Sequence, residues 1–248
     1  MAVAVITGVS RRIGIGAAVA RRLAEAGWDL FLHSWSPHDA EQPWGADPEG
    51  AAAIVADLRT RVRVEHLVAD LADPDAPAQL VAAAEGAYGR VDALVANHAR
   101  SSAATLEELT AAELDFTYAV NTRATLLLVK EFAARCPGPG RVVLMTSGQH
   151  RGPMPGELPY IASKGALHQV TASLAAHLAP RGITVNAVDP GATDTGYADA
   201  AAHAAVLALE PMGRWGEPDD AARLIAWLAS DAGRWVTGQV LVSNGGGP

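Results

Sequence analysis

Tyr160 and Lys164 are the residues of this chain whose types and spacing most directly suggest chemistry. They lie four residues apart, so a helix would place both side chains on one face. An ammonium beside a phenol favours the phenolate, and we therefore expect the pKa of Tyr160 to lie below its usual value of about 10. Such a tyrosine would act as a general acid or base near neutral pH. Ser147 ends a predicted strand and Asn121 lies upstream, so the four residues together indicate a catalytic site.

A turn rich in glycine, from Thr7 to Gly16, separates the first predicted strand from the first predicted helix. Glycine lets the backbone turn tightly and approach a pyrophosphate, and a helix N-terminus offers unpaired N–H groups and a positive dipole end. The spacing of Gly8, Gly14 and Gly16 is not G-x-G-x-x-G, so the prediction depends on the position of the turn in the first βαβ unit. That position predicts a dinucleotide-binding site.

The end of the second predicted strand bears on the choice between NADP(H) and NAD(H). An aspartate at this point would bind the ribose 2′-hydroxyl and repel a 2′-phosphate. The chain has Ser34 and Trp35 there, with no carboxylate, and it places Arg11 and Arg12 in the glycine turn. Because arginine matches the geometry of phosphate, NADP(H) is the predicted cofactor and NAD(H) the alternative.

The rest of the chain alternates short β-branched runs with longer, alanine-rich stretches of helical periodicity. Strands that alternate with helices imply a parallel sheet covered on both faces, so we predict one α/β, doubly wound domain over residues 1–248. Asp47 and Pro48 have the form of a helix N-cap, Thr110 to Glu113 has the form of a capping box, and residues 198–210 form a predicted helical lid. The predicted strands cover residues 3–7, 29–33, 62–69, 91–97, 141–146, 183–188 and 239–243, and the main predicted helices cover 17–26, 74–88, 110–134, 160–179 and 218–230.

The composition argues against several classes of protein. A formal net charge of -8 opposes binding to nucleic acid or to an anionic membrane. No window approaches the roughly 20 apolar residues that span a bilayer. Cys136 is the single cysteine, so no internal disulfide can form, which fits a reducing compartment. The histidines lack metal-ligand spacing, and we therefore expect a cytoplasmic protein with no metal, nucleic-acid or membrane partner.

On these motifs the chain resembles the short-chain dehydrogenase/reductase family over almost its whole length. Ser147 precedes Tyr160 by thirteen residues, Lys164 follows at the family's interval, and Asn121 lies in a similar Val-Asn-Thr segment. The resemblance implies a Rossmann-like fold and a small-molecule carbonyl or alcohol substrate. It assigns these residues to the cofactor: Gly8, Ser10, Arg11, Arg12, Gly14, Ile15, Ser34, Trp35, Asp70, Leu71, Asn97, Tyr160, Lys164, Pro190, Gly191, Thr193 and Thr195.

The resemblance also implies a role for each catalytic residue. Ser147 would hydrogen-bond the substrate oxygen, and Tyr160 would give that oxygen a proton as hydride reaches the carbon. Lys164 would bind the nicotinamide ribose and lower the pKa of Tyr160. Asn121 would kink its helix and help to hold a water that leads protons from Lys164. The implied substrate is a ketone or secondary alcohol, and 3-oxoacyl compounds are one class within it.

Two segments depart from the family's pattern. Five residues separate Gly8 from Gly14 where the family usually has three, so the backbone path around the pyrophosphate must differ. The segment usually written Asn-Asn-Ala-Gly is Ala96-Asn97-His98-Ala99 in this chain. The residues expected to line the substrate pocket are His98, Gln149, His150, Met154 and Tyr197. Their polar members suit a substrate with hydroxyl, carboxylate or phosphate groups.

Two other functions stay open on the sequence. An enoyl reductase of the same superfamily typically spaces the tyrosine and lysine seven apart, whereas position 167 of this chain is Leu167. A non-catalytic dinucleotide sensor commonly lacks the tyrosine or the lysine, and this chain has both. The helices around Asn121 and after Tyr160 are rich in alanine and leucine, as are helices that pair in this family, so we expect a homotetramer or homodimer.

Overall fold

Seven parallel strands form the centre of the molecule, in a computed structural model that describes residues 1–247. The strands are β1 Val3–Ile6, β2 Asp29–Ser34, β3 Val64–Val68, β4 Ala93–Ala96, β5 Gly140–Met145, β6 Ile183–Asp189 and β7 Val240–Val242. They pair in the order β3-β2-β1-β4-β5-β6-β7. β1, β2, β4, β5 and β6 are buried along their whole length, as parallel strands covered on both faces must be.

Helices cover both faces of this sheet. They are α1 Ile15–Glu25, α2 Pro37–Glu41, α3 Gly50–Leu58, α4 Ala76–Tyr88, α5 Ala111–Tyr118, α6 Ala124–Arg135, α7 Leu158–Leu178, α8 Ala200–Leu207 and α9 Pro218–Ala229. The apolar side chains of α1, α3 and α9 form one core, and those of α4, α6 and α7 form another on the opposite face. This arrangement confirms the predicted α/β, doubly wound parallel sheet. No helix within residues 1–247 is long and apolar enough to cross a membrane.

The strand order reverses beside β1. Val5 of β1 aligns with Phe31 of β2 on one side and with Leu94 of β4 on the other. The chain leaves β1 toward the face that holds α1, and after β4 it reaches α6 on the opposite face. Such a divergence opens a crevice at the carboxyl ends of the two strands, which is where sheets of this kind bind ligands.

The segment between β2 and α3 differs from the prediction. It contains the short helix α2, and α3 begins at Gly50, two residues later than Pro48. Asp47, predicted as the cap of that helix, binds Arg12 with both carboxylate oxygens, at 2.9 Å from the guanidinium Nε and 2.9 Å from Nη2. The Asp47 carboxylate therefore fastens this segment to the glycine turn, where it also accepts a hydrogen bond from the N–H of Arg12 at 3.0 Å.

The long helix predicted from residue 110 to 134 is interrupted. Thr110 is confirmed as its N-cap, because its hydroxyl accepts a hydrogen bond from the N–H of Glu113 at 3.1 Å. The Glu113 carboxylate does not complete the capping box, since it pairs with Arg100 at 3.0 Å. After α5 the helix widens into a π-helical turn over Ala119–Arg123 and then continues as α6. The predicted lid is the shorter helix α8, which has no buried residue.

Leu80 tests how far stability depends on the core under α4. Its side chain is fully buried, whereas Leu106 is 71% exposed. We expect Leu80→Ala to lower the free energy of unfolding by about 2–5 kcal/mol, because it removes buried apolar surface and leaves a cavity. The matched change Leu106→Ala should stay within about 0.5 kcal/mol of the parent. Urea unfolding of both variants measures this, and equal losses would contradict the described core.

Candidate active site

A cleft of about 840 Å³ lies at the carboxyl ends of the central strands. It is lined by the glycine turn after β1 and by the segments that follow β2, β3, β4, β5 and β6. The residues predicted for cofactor, catalysis or substrate that line it are Gly8, Ser10, Arg11, Gly14, Ile15, Trp35, Asp70, Leu71, Asn97, His98, Ser147, Met154, Tyr160, Pro190, Gly191, Thr193, Thr195 and Tyr197.

The glycine turn keeps its backbone open to the cleft because side chains have no room there. Gly8 has a φ of +72°, and a Cβ on it would lie 2.7 Å from the Cα of His98. A Cβ on Gly16 would lie 2.6 Å from the carbonyl oxygen of Gly8. Gly14 is the N-cap of α1, and no side chain caps the helix or places an acid in its first turn. The first N–H groups of α1 are therefore available to an anion such as a pyrophosphate.

Asn97 and His98 hold this turn against β4. The amide nitrogen of Asn97 donates to the carbonyl oxygens of Thr7 and Gly8, each at 3.1 Å. His98 Nε2 donates to the carbonyl oxygen of Val120 at 3.0 Å, so its Nδ1 accepts from the Thr7 hydroxyl at 2.7 Å. Burial lowers the pKa of His98 to about 3, and the ring stays neutral. Both ring nitrogens of His98 thus bind the protein, and its expected contact with substrate stays a prediction.

Tyr160, Lys164 and Ser147 come together where β5 meets α7. Tyr160 and Lys164 lie one turn apart on α7, as predicted, and Ser147 follows the end of β5. Tyr160 and Ser147 both line the cleft, and Ser147 is near enough to lower the pKa of the Tyr160 hydroxyl. Lys164 is only 2% exposed and donates from Nζ to the carbonyl oxygen of Met145 at 2.8 Å. Its Nζ lies 5.7 Å from the centre of the Tyr160 ring.

The electrostatics of this group differ from the expectation. Burial raises the pKa of Tyr160 to about 12, and the nearby Ser147 hydroxyl offsets only part of the rise. Burial also lowers the pKa of Lys164 to about 8. The expected lowering of the Tyr160 pKa by Lys164 is therefore wrong, because the Lys164 amine is directed at a backbone carbonyl and desolvation dominates.

Asn121 supports the site from behind the cleft. It lies in the π-helical turn, which is the kink expected at this residue, and its side chain is completely buried. Its amide accepts from the N–H of Arg100 at 2.7 Å and donates to the carbonyl oxygen of Arg100 at 3.0 Å and to Ser163 Oγ at 2.9 Å. Asn121 thereby ties the segment after β4 to α7, which carries Tyr160.

Comparison with known proteins places this site in a family. A family model described as enoyl-(acyl carrier protein) reductase matches residues 8–247. The uncharacterized oxidoreductase YjdA of Bacillus subtilis is 42% identical over 248 residues, which cover 98% of this chain and 96% of the relative. A short chain dehydrogenase from Burkholderia cenocepacia, solved in complex with NADP, superposes with a TM-score of 0.88 at 37% identity and covers 98% of this chain and 96% of its own. The chain belongs to the short-chain dehydrogenase/reductase family.

Membership of this family makes the protein an oxidoreductase. A plant relative is also similar over nearly the full length: the NADPH-dependent aldehyde reductase-like chloroplastic protein of Arabidopsis thaliana is 34% identical over 260 residues, which cover 98% of this chain and 93% of that relative. The curated relatives and the solved structure thus match the chain as a whole, including every segment that lines the cleft.

Besides the buried Lys164, two residues predicted as cofactor contacts of this short-chain dehydrogenase/reductase do not line the cleft. Arg12 forms ion pairs with Asp47 at 2.9 Å and with Glu49 at 2.8 Å, which turn its guanidinium away. Ser34 is buried, and its hydroxyl lies 2.8 Å from Nε2 of His66 on the neighbouring strand β3. Both side chains are already committed to protein partners, and neither lines the cleft.

Two residues predicted for the substrate pocket are also turned away. Gln149 and His150 lie in a short 3-10 turn after Ser147. Gln149 donates to the Thr146 hydroxyl at 3.1 Å, and His150 Nδ1 lies 3.2 Å from the carbonyl oxygen of Ser147. The His150 ring packs against His168, with the ring centres 4.8 Å apart. The tight turn therefore directs both side chains to α7 and to their own loop.

Several parts of the cleft were not predicted, and two of them bear on its chemistry. The segment after β2 lines it with Pro37, His38, Asp39, Glu41, Gln42, Pro43 and Trp44. The Trp44 ring lies 6.3 Å from the ring of Tyr197 and 6.0 Å from the guanidinium carbon of Arg11, so this segment reaches across to the loop after β6. In the sequence, the only indication that this segment has a role is the unusual length of the polar stretch after the second predicted strand. Glu157 also lines the cleft, and its position three residues before Tyr160 could have indicated a shared helical face.

The close approach at Gly8 predicts a difference between two glycine substitutions. Gly8→Ala and Gly27→Ala both place alanine at a left-handed φ, which costs about 1–2 kcal/mol. Only Gly8→Ala also drives a Cβ into the backbone of His98, because nothing lies within 4 Å of a Cβ at Gly27. We expect a clearly larger loss of unfolding free energy for Gly8→Ala in urea unfolding. Equal losses would show that the turn is looser than described.

Proposed function

We propose that the protein catalyses the NADP(H)-dependent reduction of ketones and aldehydes to alcohols, with Tyr160 as the general acid. The observation that carries this proposal is that Tyr160 and Ser147 line the cleft together, with Ser147 near enough to lower the pKa of the Tyr160 hydroxyl. Two hydroxyl groups that converge on one point can both bind a carbonyl oxygen. The relatives support the direction of the reaction, since one of them is named as an NADPH-dependent aldehyde reductase-like protein.

The pKa of Tyr160 favours reduction over oxidation. With a pKa of about 12, Tyr160 is protonated near neutral pH and has a proton to give to a carbonyl oxygen. Ser147 would donate a second hydrogen bond to that oxygen as negative charge develops on it. When bound, NADPH supplies the hydride. In the reverse direction Tyr160 would have to act as a phenolate, which burial disfavours.

Lys164 and Asn121 complete the proposed machinery. Lys164 lies beside the Tyr160 ring with a pKa of about 8, so its amine carries a proton for much of the time near neutral pH. It would hold the nicotinamide ribose and supply positive charge near Tyr160. Asn121 would act through position, because its buried amide fixes the segment after β4 against α7.

The shape of the cleft fits a dinucleotide. Gly8 and Gly16 leave room for the backbone to approach a pyrophosphate, and the uncapped N-terminus of α1 offers N–H donors to it. Asp70 and Leu71 after β3 would hold the adenine, and the segment from Pro190 to Thr195 would hold the nicotinamide. The Burkholderia cenocepacia relative was solved in complex with NADP, which supports the same class of cofactor.

Arg11 is the residue that we expect to select NADP(H). It lines the cleft, and the end of β2 places no carboxylate there that would repel a 2′-phosphate. Arg12, its neighbour, is held by Asp47 and Glu49. Of the two arginines in the turn, Arg11 is thus the one whose guanidinium can reach the phosphate.

Substitution of the two arginines separates these roles. Arg11→Ala should weaken NADPH binding by roughly tenfold or more and leave NADH binding nearly unchanged, because a charge-assisted hydrogen bond to phosphate is lost. Arg12→Ala is the matched control, and it should change both affinities by a similar, smaller factor. Fluorescence titration with each nucleotide measures the effect. An equal loss of NADPH and NADH affinity in Arg11→Ala would contradict the assignment.

Tyr160→Phe tests the general acid. It removes the proton donor but keeps the ring, so kcat/KM for carbonyl reduction should fall by roughly a hundredfold to ten-thousandfold. NADPH affinity should stay close to that of the parent. The control Tyr118→Phe alters a half-exposed tyrosine outside the cleft and should leave both quantities unchanged. Turnover that survives in Tyr160→Phe would remove Tyr160 from the mechanism.

Enoyl reduction is the second candidate, because the matching family model carries that description. In that reaction the hydride would reach a carbon–carbon double bond. The chain places Lys164 four residues after Tyr160, and the seventh position is the buried, apolar Leu167. The hydroxyl pair of Tyr160 and Ser147 is suited to an oxygen at the reacting carbon, so carbonyl reduction is the function that we put forward.

A further inference from the structure

Glu157 places a carboxylate in the cleft. Neither the proposed cofactor site nor the four catalytic residues give this carboxylate a role. It lines the cleft together with Tyr160 and Tyr197. It precedes Tyr160 by three residues at the start of α7, so the two side chains lie about one helical turn apart. Its backbone is fixed by a β-bridge to Ala104, which also accepts a hydrogen bond from the N–H of Leu158 at 3.1 Å.

The Glu157 carboxylate has no partner within residues 1–247. Desolvation alone acts on it and raises its pKa, with no hydrogen bond and no opposite charge to offset the effect. Glu157 occupies the N-cap position of α7, yet its side chain makes no capping hydrogen bond. A carboxylate at a helix N-terminus would gain from the N–H groups and the dipole there. Its orientation toward the cleft therefore leaves a half-buried acceptor that a ligand can satisfy.

The other acid that acts on Tyr160 is neutralised. The negative charges of Glu157 and Asp189 both raise the pKa of Tyr160. Asp189 is fully buried and pairs with Arg151 at 2.8 Å. Glu157 has no such cation beside it, so its charge acts directly on whatever binds next to Tyr160.

Two cations near the reacting end of the cleft, Arg100 and Lys164, already pair with protein groups. Arg100 pairs with Glu113 at 3.0 Å. Lys164 donates to the carbonyl oxygen of Met145 at 2.8 Å. Arg11 is the residue proposed for the cofactor phosphate. A substrate carboxylate beside Tyr160 would therefore be repelled by Glu157, and we find no uncommitted cation in residues 1–247 to hold it there.

We propose that Glu157 determines substrate specificity: its carboxylate accepts a hydrogen bond from a substrate hydroxyl one or two carbons from the reacting carbonyl, and it rejects substrates with a carboxylate at that place. The substrate class is then the neutral hydroxycarbonyl compounds. A hydroxyl group is a donor that a carboxylate can bind, whereas a second carboxylate is an acceptor of the same charge. The inference rests on the proposed carbonyl reduction and adds the substrate class to it.

Two matched pairs of ketones test this, each pair differing only in the group near the carbonyl. The first pair is 1-hydroxybutan-2-one and 2-oxobutanoate, and the second is 4-hydroxybutan-2-one and 3-oxobutanoate. Butan-2-one, which has neither group, is the reference. The measurement is kcat/KM for NADPH oxidation with each compound.

Three variants test whether Glu157 is the residue that causes this substrate preference. Glu157→Gln keeps an acceptor oxygen but removes the charge, so kcat/KM for the oxo acid should rise by roughly tenfold. Glu157→Leu removes the acceptor, so the preference for the hydroxyketone over butan-2-one should fall by roughly tenfold. Glu107→Gln makes the same charge change at an exposed position and should alter neither ratio. NADPH titration of each variant shows that the fold and the cofactor site are intact.

The outcomes separate the inference from the proposed function. A hydroxyketone preferred over its oxo acid in the parent, with the ratio reduced in Glu157→Gln but kept in Glu107→Gln, supports the inference. Turnover with the same ratios in the parent and in both Glu157 variants overturns it and leaves carbonyl reduction standing. If no ketone or aldehyde consumes NADPH, the proposed function fails and the inference fails with it.

Discussion

The glycine turn can keep its shape only while the carboxyl ends of β1 and β4 stay fixed against each other. The Asn97 amide enforces this, since it donates to the carbonyl oxygens of Thr7 and Gly8 at 3.1 Å. Gly8 and Gly16 have no space for a Cβ because the strand ends lie so close. The turn leads into α1 on one face and the segment after β4 leads to the π-helical turn on the other. Both walls of the cleft therefore depend on this one junction between the carboxyl ends of β1 and β4.

The same junction reaches the catalytic helix through buried hydrogen bonds. His98 links the turn to the carbonyl oxygen of Val120, and Asn121, the next residue, binds Ser163 on α7 at 2.9 Å. Because burial keeps the His98 ring neutral, with a pKa of about 3, this chain of contacts does not change near neutral pH. The position of Tyr160 is thus set by uncharged groups. Changes of pH near neutrality therefore leave the contacts made by His98 unaltered.

Much of the fold and part of the site follow from local patterns in the sequence. The strands were predictable because buried parallel strands are continuous apolar runs, and Tyr160 and Lys164 share a face of any helix that contains them. The pKa of Tyr160 was not predictable in this way, because it depends on burial by the whole fold. Arg11 and Arg12 are neighbours with the same chemistry, and only Asp47, brought in by the segment after β2, decides which of them is turned from the cleft. The start of α3 at Gly50 was missed for the same reason, because it too depends on a contact between segments that are far apart in the sequence.

Burial also connects the acid strength of Tyr160 with the choice of substrate. In a site sheltered from water, the charge of Glu157 acts on the Tyr160 proton more strongly than it would at the surface, and it holds that proton on the phenol. A substrate hydroxyl that donates a hydrogen bond to Glu157 would weaken the effect of its negative charge on Tyr160. The pKa of Tyr160 would then fall, and the phenol would become a stronger acid that gives its proton to the carbonyl oxygen more readily. A substrate carboxylate would have the opposite effect, so the residue that discriminates between substrates would also adjust the acid that acts on them.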